Sequence, residues 1–188
     1  MSRWQPDARG RLQQAASELF LDQGYDQTSV ADIAARAGLT ERTFFRHFVD
    51  KREVLFSGAA ELQERLVQAL DGVPPGLPPI EAVRTAVETM TTLFHGRRAF
   101  ARERQRIIVE HPDLLERELI KRAHLTALLA QALERRGVPA ASANLAADMG
   151  IGVFYVGFAR WLAEPVDREL VEVVHEGFDQ LKAVASGA

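Results

Sequence analysis

Hydrophobic and polar residues follow helical spacing through residues 28–52, where three short helices are predicted to begin within about two dozen residues. The three capping patterns are Ser29 with Asp32, Thr40, and Asp50 with Glu53. Gly38 separates the first helix from the second, because glycine readily adopts the positive φ with which many helices end. Two short helices joined by a glycine-containing turn form a helix-turn-helix, the arrangement found in many DNA-binding proteins.

The second helix of this pair, residues 41–48, has the composition of a recognition helix. Three phenylalanines are predicted to pack inward: Phe44, Phe45 and Phe48. Five other side chains are left outside: Glu41, Arg42, Thr43, Arg46 and His47. In a major groove, arginine can pair with guanine and threonine can contact a base edge or a thymine methyl group, so Arg42, Thr43 and Arg46 are the predicted base contacts.

The predicted phosphate contacts lie around this helix. Thr40 and the N–H groups at the helix start can accept a phosphate, and Lys51 can meet the DNA backbone as a point charge. His47 and Thr28 complete the predicted set. The alternative is a small helical core with a solvated basic face and no DNA contact.

Residues 38–51, GLTERTFFRHFVDK, resemble the signature of TetR-family transcriptional repressors, and residues 15–34 resemble that family's first two helices. The resemblance covers about the first quarter of the chain and implies DNA binding. Position 45 is often tyrosine in the family, with its hydroxyl on a phosphate, and Phe45 cannot make that bond. Phe45 and Glu41 are nevertheless included in the predicted DNA-binding set. Val49 replaces a frequent proline.

Composition and charge narrow the possible classes. The 188 residues include 47% hydrophobic and 26% charged residues, as in ordinary globular proteins. The absence of cysteine excludes disulfides and thiolate nucleophiles. The net charge of −3 disfavours indiscriminate nucleic-acid binding, but residues 36–52 carry five basic residues against two acidic ones, a local patch. No signal peptide or membrane span is expected, which favours a cytoplasmic protein.

The rest of the chain is predicted to be helical, giving an all-α protein of about nine helices. One helix is expected from Lys51 to about Leu70, followed by a loop at 71–79 that contains four prolines and two glycines. We divide the chain into a DNA-binding domain at residues 1–50 and a connecting helix with a helical ligand-binding and dimerisation domain at 51–188. The resemblance implies the same architecture.

The last two helices are predicted to form a homodimer interface. Residues 145–162 are apolar or small on nearly every side, so the helix must be covered on every side, and a second subunit is the simplest cover. A dimer would place two recognition helices roughly 34–36 Å apart, on successive major grooves of a palindromic operator. Gly157 is the position at which a charge is expected to break this interface; the alternative is an unusually apolar monomer core.

A small apolar effector is expected to bind between helices of the C-terminal half and to release the operator. The predicted lining is Met90, Phe94, Leu129, Met149, Phe154 and Trp161. The same residue types at helical spacing also form plain core. The GxG at 150–152 lacks the βαβ unit of a dinucleotide site, and Glu172 with His175 lacks the further ligands of a di-iron site, so no cofactor or metal is expected.

The sequence therefore predicts a ligand-responsive repressor that binds DNA as a dimer and is not an enzyme. Three alternatives remain at this point: a helical interaction module without specific DNA binding, an all-α enzyme, and a DNA-compacting protein. The enzyme alternative would need a constellation of acid, base or metal ligands, and the sequence shows none. The acidic net charge disfavours the compacting protein.

Overall fold

A computed structural model describes residues 7–165 and 168–187 of the chain. Within that part it contains helices and no strand, in agreement with the predicted all-α class. The α-helices are α1 (Ala8–Gln23), α2 (Val30–Arg36), α3 (Glu41–His47), α4 (Lys51–Leu55), α5 (Ala59–Asp71), α6 (Pro79–Met90), α7 (Arg98–Glu110), α8 (Pro112–Arg135), α9 (Ala140–Ala163) and α10 (Leu170–Ser186). A short 3-10 helix, Thr91–Phe94, follows α6 directly.

The single helix expected from Lys51 to Leu70 is divided into α4 and α5, which corrects that prediction. The chain leaves α4 with i→i+3 hydrogen bonds, in which the Phe56 and Ser57 amides donate to Glu53 and Val54 at 3.1 and 3.2 Å. The Ser57 hydroxyl also donates to the Val54 carbonyl at 2.6 Å. Gly58 follows, and glycine is a poor helix former. The buried Phe56 ring holds this break in place, under the guanidinium of Arg104 at 5.3 Å.

The chain divides into two compact units, one of which contains the described residues up to Gly58 together with Arg102–Leu114. Its core joins apolar residues of α1 to α4 with three from the later segment: Ile107, Ile108 and Leu114. The basic run at residues 97–106 left pairing with the DNA-binding domain open as an alternative to a solvated face, and hydrophobic periodicity did not indicate that residues 102–114 belong with the helix-turn-helix. The predicted functional division at residue 50 stays a prediction.

The second unit contains Ala59–Ala101 and the described residues from Leu115 onwards. In it α9 packs against both α6 and α10, which explains why so much of α9 is apolar. Two glycines allow this close approach. A methyl group on Gly150 would lie 2.1 Å from Val83 Cγ1, and one on Gly157 would lie 3.2 Å from Val174 Cγ2. Gly157 therefore faces α10 of its own chain, which corrects its assignment to the subunit interface.

By length and composition α9 is the one helix of the described residues that could cross a membrane, although no such segment was expected from the sequence. Its most apolar 18-residue window has a mean hydropathy of 1.2, and half of that window is buried inside the protein. The core helix of a globular unit meets the same criterion, and α9 supplies the central residues of the second unit's core.

The spacing of Glu172 and His175 does not produce a metal site in this part of the chain. His175 Nδ1 lies 2.9 Å from Glu88, and Arg168 binds Glu172 at 3.1 Å. Among the residues that the structure describes, no group of three or more His, Asp or Glu side chains is arranged to hold a metal ion.

Candidate nucleic-acid interface

The helix α2 starts at a complete capping box, as the sequence predicted. The Ser29 hydroxyl accepts from the Asp32 amide at 3.1 Å, and the Asp32 carboxylate accepts from the Ser29 amide at 2.9 Å. The Ser29 hydroxyl also donates to the Asp32 carboxylate at 2.6 Å, and this hydrogen bond, followed by the one from the Ser29 amide, lowers the pKa of Asp32. The first turn of α2 is therefore fixed by residues within itself.

The turn between α2 and α3 depends on Gly38, whose φ of +64° lies in the left-handed region. The Arg11 guanidinium donates to the carbonyl of Ala37 beside it. A methyl group on Gly38 would lie 3.0 Å from Arg11 Nη2, so both the backbone and the close contact favour glycine. Thr40 then caps α3 by accepting from the Thr43 amide at 3.2 Å. The orientation of α3 relative to α2 is set by these contacts.

Two phenylalanines attach α3 to the core, and a third does not. Phe44 and Phe48 are buried, with ring centroids 5.4 Å apart. Phe45 was expected to pack inward, but its ring is 55% exposed. One residue along a helix is a rotation of about 100°, which turns Phe45 away from the face that Phe44 occupies.

The outer face of α3 carries the predicted base contacts. Glu41, Arg42 and Arg46 are exposed, while Thr43 and His47 are half-buried. Among the described residues, neither Arg42 nor Arg46 forms a hydrogen bond or an ion pair. Both guanidinium groups are therefore available to an anionic or hydrogen-bonding partner outside this chain.

The other basic residues of the patch are already used within the protein. Arg36 pairs with Glu18 at 3.3 Å, and Arg52 pairs with Asp113 at 2.8 Å. Only the two arginines of α3 remain unpaired among the basic residues between 36 and 52 in the described structure. The patch counted from the sequence thus reduces to a pair of arginines on one helix.

Lys51 and Thr28, two of the predicted phosphate contacts, take part in internal hydrogen bonds. The Thr28 side chain is buried, and its hydroxyl donates to the Gly24 carbonyl at 2.7 Å. Lys51 Nζ donates to the carbonyls of Tyr25 and Thr28 at 2.8 and 3.0 Å. Desolvation lowers the pKa of Lys51, and the negative charge of Asp26 opposes that shift. Both side chains brace the turn between α1 and α2, and their phosphate contacts stay predictions.

His47 presents the opposite situation, because its Nε2 atom is buried without a hydrogen-bond partner among the described residues. A buried polar atom of this kind is costly unless a partner satisfies it. The main-chain carbonyl of His47 accepts from Arg9 at 3.4 Å, and the Arg9 guanidinium lies 4.8 Å above the Phe48 ring. These contacts hold the end of α3 against α1.

His111, which the sequence analysis did not select, also supports this unit. Its Nδ1 lies 2.7 Å from the Ile107 carbonyl and its Nε2 lies 3.2 Å from Asp26 Oδ1, so both ring nitrogens face acceptors. The ring also meets Tyr25 edge-on at 5.1 Å. Burial raises the pKa of Tyr25 to about 12, which keeps its hydroxyl protonated. The sequence feature next to His111 was Pro112, which marks the start of a helix and does not indicate a role for the histidine.

The pKa of His111 is raised, first by the hydrogen bond to the Ile107 carbonyl and then by Asp26. Its contribution to stability is therefore complete below the unfolded value of about 6.5, and it is lost as the pH rises through the folded pKa. We expect NMR titration to give His111 a pKa above 6.5, and Asp26→Asn to lower it. The free energy of unfolding, measured with denaturant, should be higher for the wild type than for His111→Gln, and this difference should be larger at about pH 6 than at about pH 8. An unshifted pKa would contradict this role.

The predicted effector residues lie mostly in the core of the second unit. Met90, Leu129, Phe154 and Trp161 are buried there. Phe94 packs against the same core, with its ring centroid 6.0 Å from that of Phe154 and 6.4 Å from that of Trp161. Met149 lies apart from them, since its side chain is 37% exposed.

A surface pocket of about 200 Å³ lies elsewhere in this unit. Its lining is Pro75, Gly76, Leu77, Pro79, Ala82, Leu133, Arg136 and Val138. Arg136 is held there by the carbonyls of Leu70 and Val73 at 2.9 and 2.8 Å. None of the predicted effector residues contributes to this pocket.

A capped helix-turn-helix that exposes two unpaired arginines defines a DNA-binding regulator of the helix-turn-helix class. The family described as bacterial regulatory proteins, tetR family, matches residues 12–57, and the MftR C-terminal domain matches residues 77–186. The second match alone covers more than half of the chain. The chain belongs to the TetR family of transcriptional regulators, as its sequence motif indicated.

Two relatives illustrate the range of similarity. The transcriptional regulator TcmR of Streptomyces glaucescens is 41% identical over 78 residues, which is 42% of this chain and 34% of TcmR. A candidate mycofactocin biosynthesis transcriptional regulator, MftR of Mycobacterium tuberculosis, is 25% identical over 175 residues, covering 92% of this chain and 88% of MftR. The aligned part thus spans about a third of TcmR and most of MftR.

Solved structures share the fold across nearly the whole chain. A TetR-family regulator candidate from Syntrophomonas wolfei has a TM-score of 0.73 at 16% identity, covering 96% of this chain and 95% of its own. Thermus thermophilus FadR, a TetR-family repressor in complex with lauroyl-CoA, has a TM-score of 0.57 at 24% identity, covering 93% of each chain. Bacillus subtilis FadR in complex with stearoyl-CoA has a TM-score of 0.65 at 18% identity, covering 92% and 96%.

Proposed function

We propose that this regulator binds a palindromic operator as a homodimer, with α3 of each subunit in a major groove. The observation that carries the proposal is the pair of unpaired guanidinium groups, Arg42 and Arg46, on the exposed face of α3. Arginine in a major groove can donate two hydrogen bonds to guanine, so each is assigned a base contact. Thr43, which lies between them in sequence, is assigned a base edge or a thymine methyl group.

The phosphate contacts are assigned to groups that border α3. His47 is half-buried at the end of α3, and the phosphate contact predicted for it from the sequence is kept in the proposal. Thr40 is exposed at the start of α3, and its hydroxyl can still donate while it caps Thr43. Lys51 and Thr28 contribute by holding the preceding turn.

The dimer is proposed to form through α9 and α10. Leu145, Met149 and Val156 lie on α9 at intervals of four and seven residues, which places them along one helical face. All three are exposed in the protomer, and Val156 is 70% exposed. The protomer leaves this row of large apolar side chains exposed to solvent. Such an exposed face supports the proposal that a second subunit buries it.

The effector is proposed to be a long-chain acyl thioester whose chain enters the aromatic core of the second unit. Two structural neighbours hold lauroyl-CoA and stearoyl-CoA, which suggests the ligand class. Here Phe94 lies half-buried on the short 3-10 helix and covers Phe158 at 5.2 Å. A short, partly exposed element can move with less loss of buried surface than a long helix, so Phe94 is the side chain that would give way.

Such a ligand acts as an inducer only if it binds the released state better than the DNA-bound state. We therefore propose repression relieved by the acyl thioester, in the cytoplasm where the operator is accessible. The relatives are transcriptional regulators, and this chain is proposed to act by binding rather than by catalysis. A helical interaction module would leave Arg42 and Arg46 without a function.

Selection of binding sites from random duplex DNA at near-physiological salt tests DNA recognition. We expect the wild type to enrich a palindrome, and the double variant Arg42→Ala/Arg46→Ala to enrich none. Weak retention of all duplexes, with a steep dependence on salt, would instead indicate electrostatic binding without sequence readout.

The effector is tested on the selected palindrome with lauroyl-CoA and stearoyl-CoA. We expect either thioester to release the protein from the duplex, whereas coenzyme A alone should leave the complex intact. Release by coenzyme A would assign recognition to the head group, and no release by any of the three would contradict an acyl-thioester effector.

A further inference from the structure

Phe45 is a large apolar side chain that the protein leaves uncovered in the middle of its DNA-binding face. Its ring is 55% exposed and touches Phe44 only edge-on, with centroids 5.5 Å apart. Burying an apolar ring is favourable, so the exposed part of this ring leaves a stabilising contact for a partner to provide.

The neighbours of Phe45 indicate the chemistry of that partner. Arg42 lies three residues before Phe45 and four residues before Arg46, so both side chains neighbour Arg42 on the surface of α3, and neither guanidinium has a counter-ion among the described residues. The partner must therefore offer negative charge or hydrogen-bond acceptors, and an apolar group between them. The major groove of DNA has this combination, because thymine presents its 5-methyl group beside the base acceptors.

We propose that Phe45 reads a thymine methyl group within each half-site, as a specificity-determining contact. The inference rests on the proposed function, since it requires α3 in a major groove. Phe45 lacks the hydroxyl of the tyrosine that is frequent at this position in the family, so its ring cannot donate to a phosphate. The exposed edge of the ring can instead make an apolar contact with a methyl group.

Deoxyuridine substitution isolates this contact, because uracil differs from thymine only by the methyl group. On the palindrome selected by the wild type, each thymine of the half-site is replaced in turn. We expect one position at which wild-type affinity falls about threefold to tenfold. Phe45→Ala should bind the parent duplex more weakly and be indifferent to uracil at that position. Phe45→Leu, which keeps an apolar side chain, should retain the sensitivity.

Val49→Ala is the matched control. Val49 is 80% exposed, but it lies beyond the end of α3, where its amide donates to Glu53 at 3.1 Å. This variant loses apolar surface of the same kind and should keep the full wild-type response to uracil.

The outcomes separate the two proposals. If no palindrome is enriched, the proposed function fails and the methyl contact falls with it. If a palindrome is enriched but every uracil is tolerated, only the methyl contact is overturned. It is also overturned if wild type and Phe45→Ala respond equally to uracil, because the methyl group would then be read by another side chain such as Thr43.

Discussion

Val156→Glu is expected to convert the proposed dimer into folded monomers that bind the proposed operator at least about 100-fold more weakly. In the protomer Val156 is 70% exposed, so a glutamate there is solvated and leaves the core of the second unit unchanged. In the proposed interface the same carboxylate would be buried against an apolar surface without a partner, which is costly. Loss of the second half-site removes the gain from bivalent binding, which is commonly 10²–10⁴-fold.

Sedimentation and circular dichroism check this result together. Leu77→Glu, a similar change at an exposed site in the loop between α5 and α6, is the control and should remain dimeric. Gly157→Glu is expected to behave differently from Val156→Glu, because its side chain would collide with Val174 and unfold the second unit. A stable Val156→Glu dimer with wild-type operator affinity would contradict the proposed interface.

Arg46→Ala is expected to weaken operator binding by about 1–3 kcal/mol and to relax the preference at one base pair. Its guanidinium has no partner among the described residues, so the substitution removes nothing that holds the protein together. Arg52→Ala is the matched control, since Arg52 is exposed but already paired with Asp113 at 2.8 Å.

Competition with single-base variants of the operator measures the effect. Both arginine variants should fold as the wild type does, but only Arg46→Ala should lose discrimination at its base pair. Equal base preferences for wild type and Arg46→Ala would show that Arg46 does not read a base. An equal loss of operator affinity in Arg52→Ala would show that both effects come from the change in net charge.

The sequence predicted local features of this protein well, because their causes lie within a few residues of one another. The capping box at Ser29 and the cap at Thr40 each join residues three positions apart, and the positive φ of Gly38 belongs to the end of α2. The order of the helices followed from the same kind of signal. These features are sufficient to predict the helix-turn-helix from the sequence.

The sequence failed where the cause was distant along the chain. The break after α4 depends on Phe56, which packs under Arg104, and the core of the DNA-binding unit includes Ile107 and Ile108. Hydrophobic periodicity carries no information about such partners. Hydrophobic periodicity also failed to predict the orientation of α9. Because this helix is apolar on nearly every side, its pattern does not indicate which face meets α10 and which face is left exposed.

The pairing of Arg36 with Glu18 and of Arg52 with Asp113 has a consequence for the protein on a chromosome. Each phosphate that a free cation neutralises releases about one counter-ion, and this release supplies most of the affinity for random DNA. Because two of its arginines are paired within the protomer, we expect each subunit to gain less from an arbitrary stretch of duplex than it would with all its cations unpaired. We therefore expect the occupancy of the proposed operator to depend mainly on the contacts that read bases.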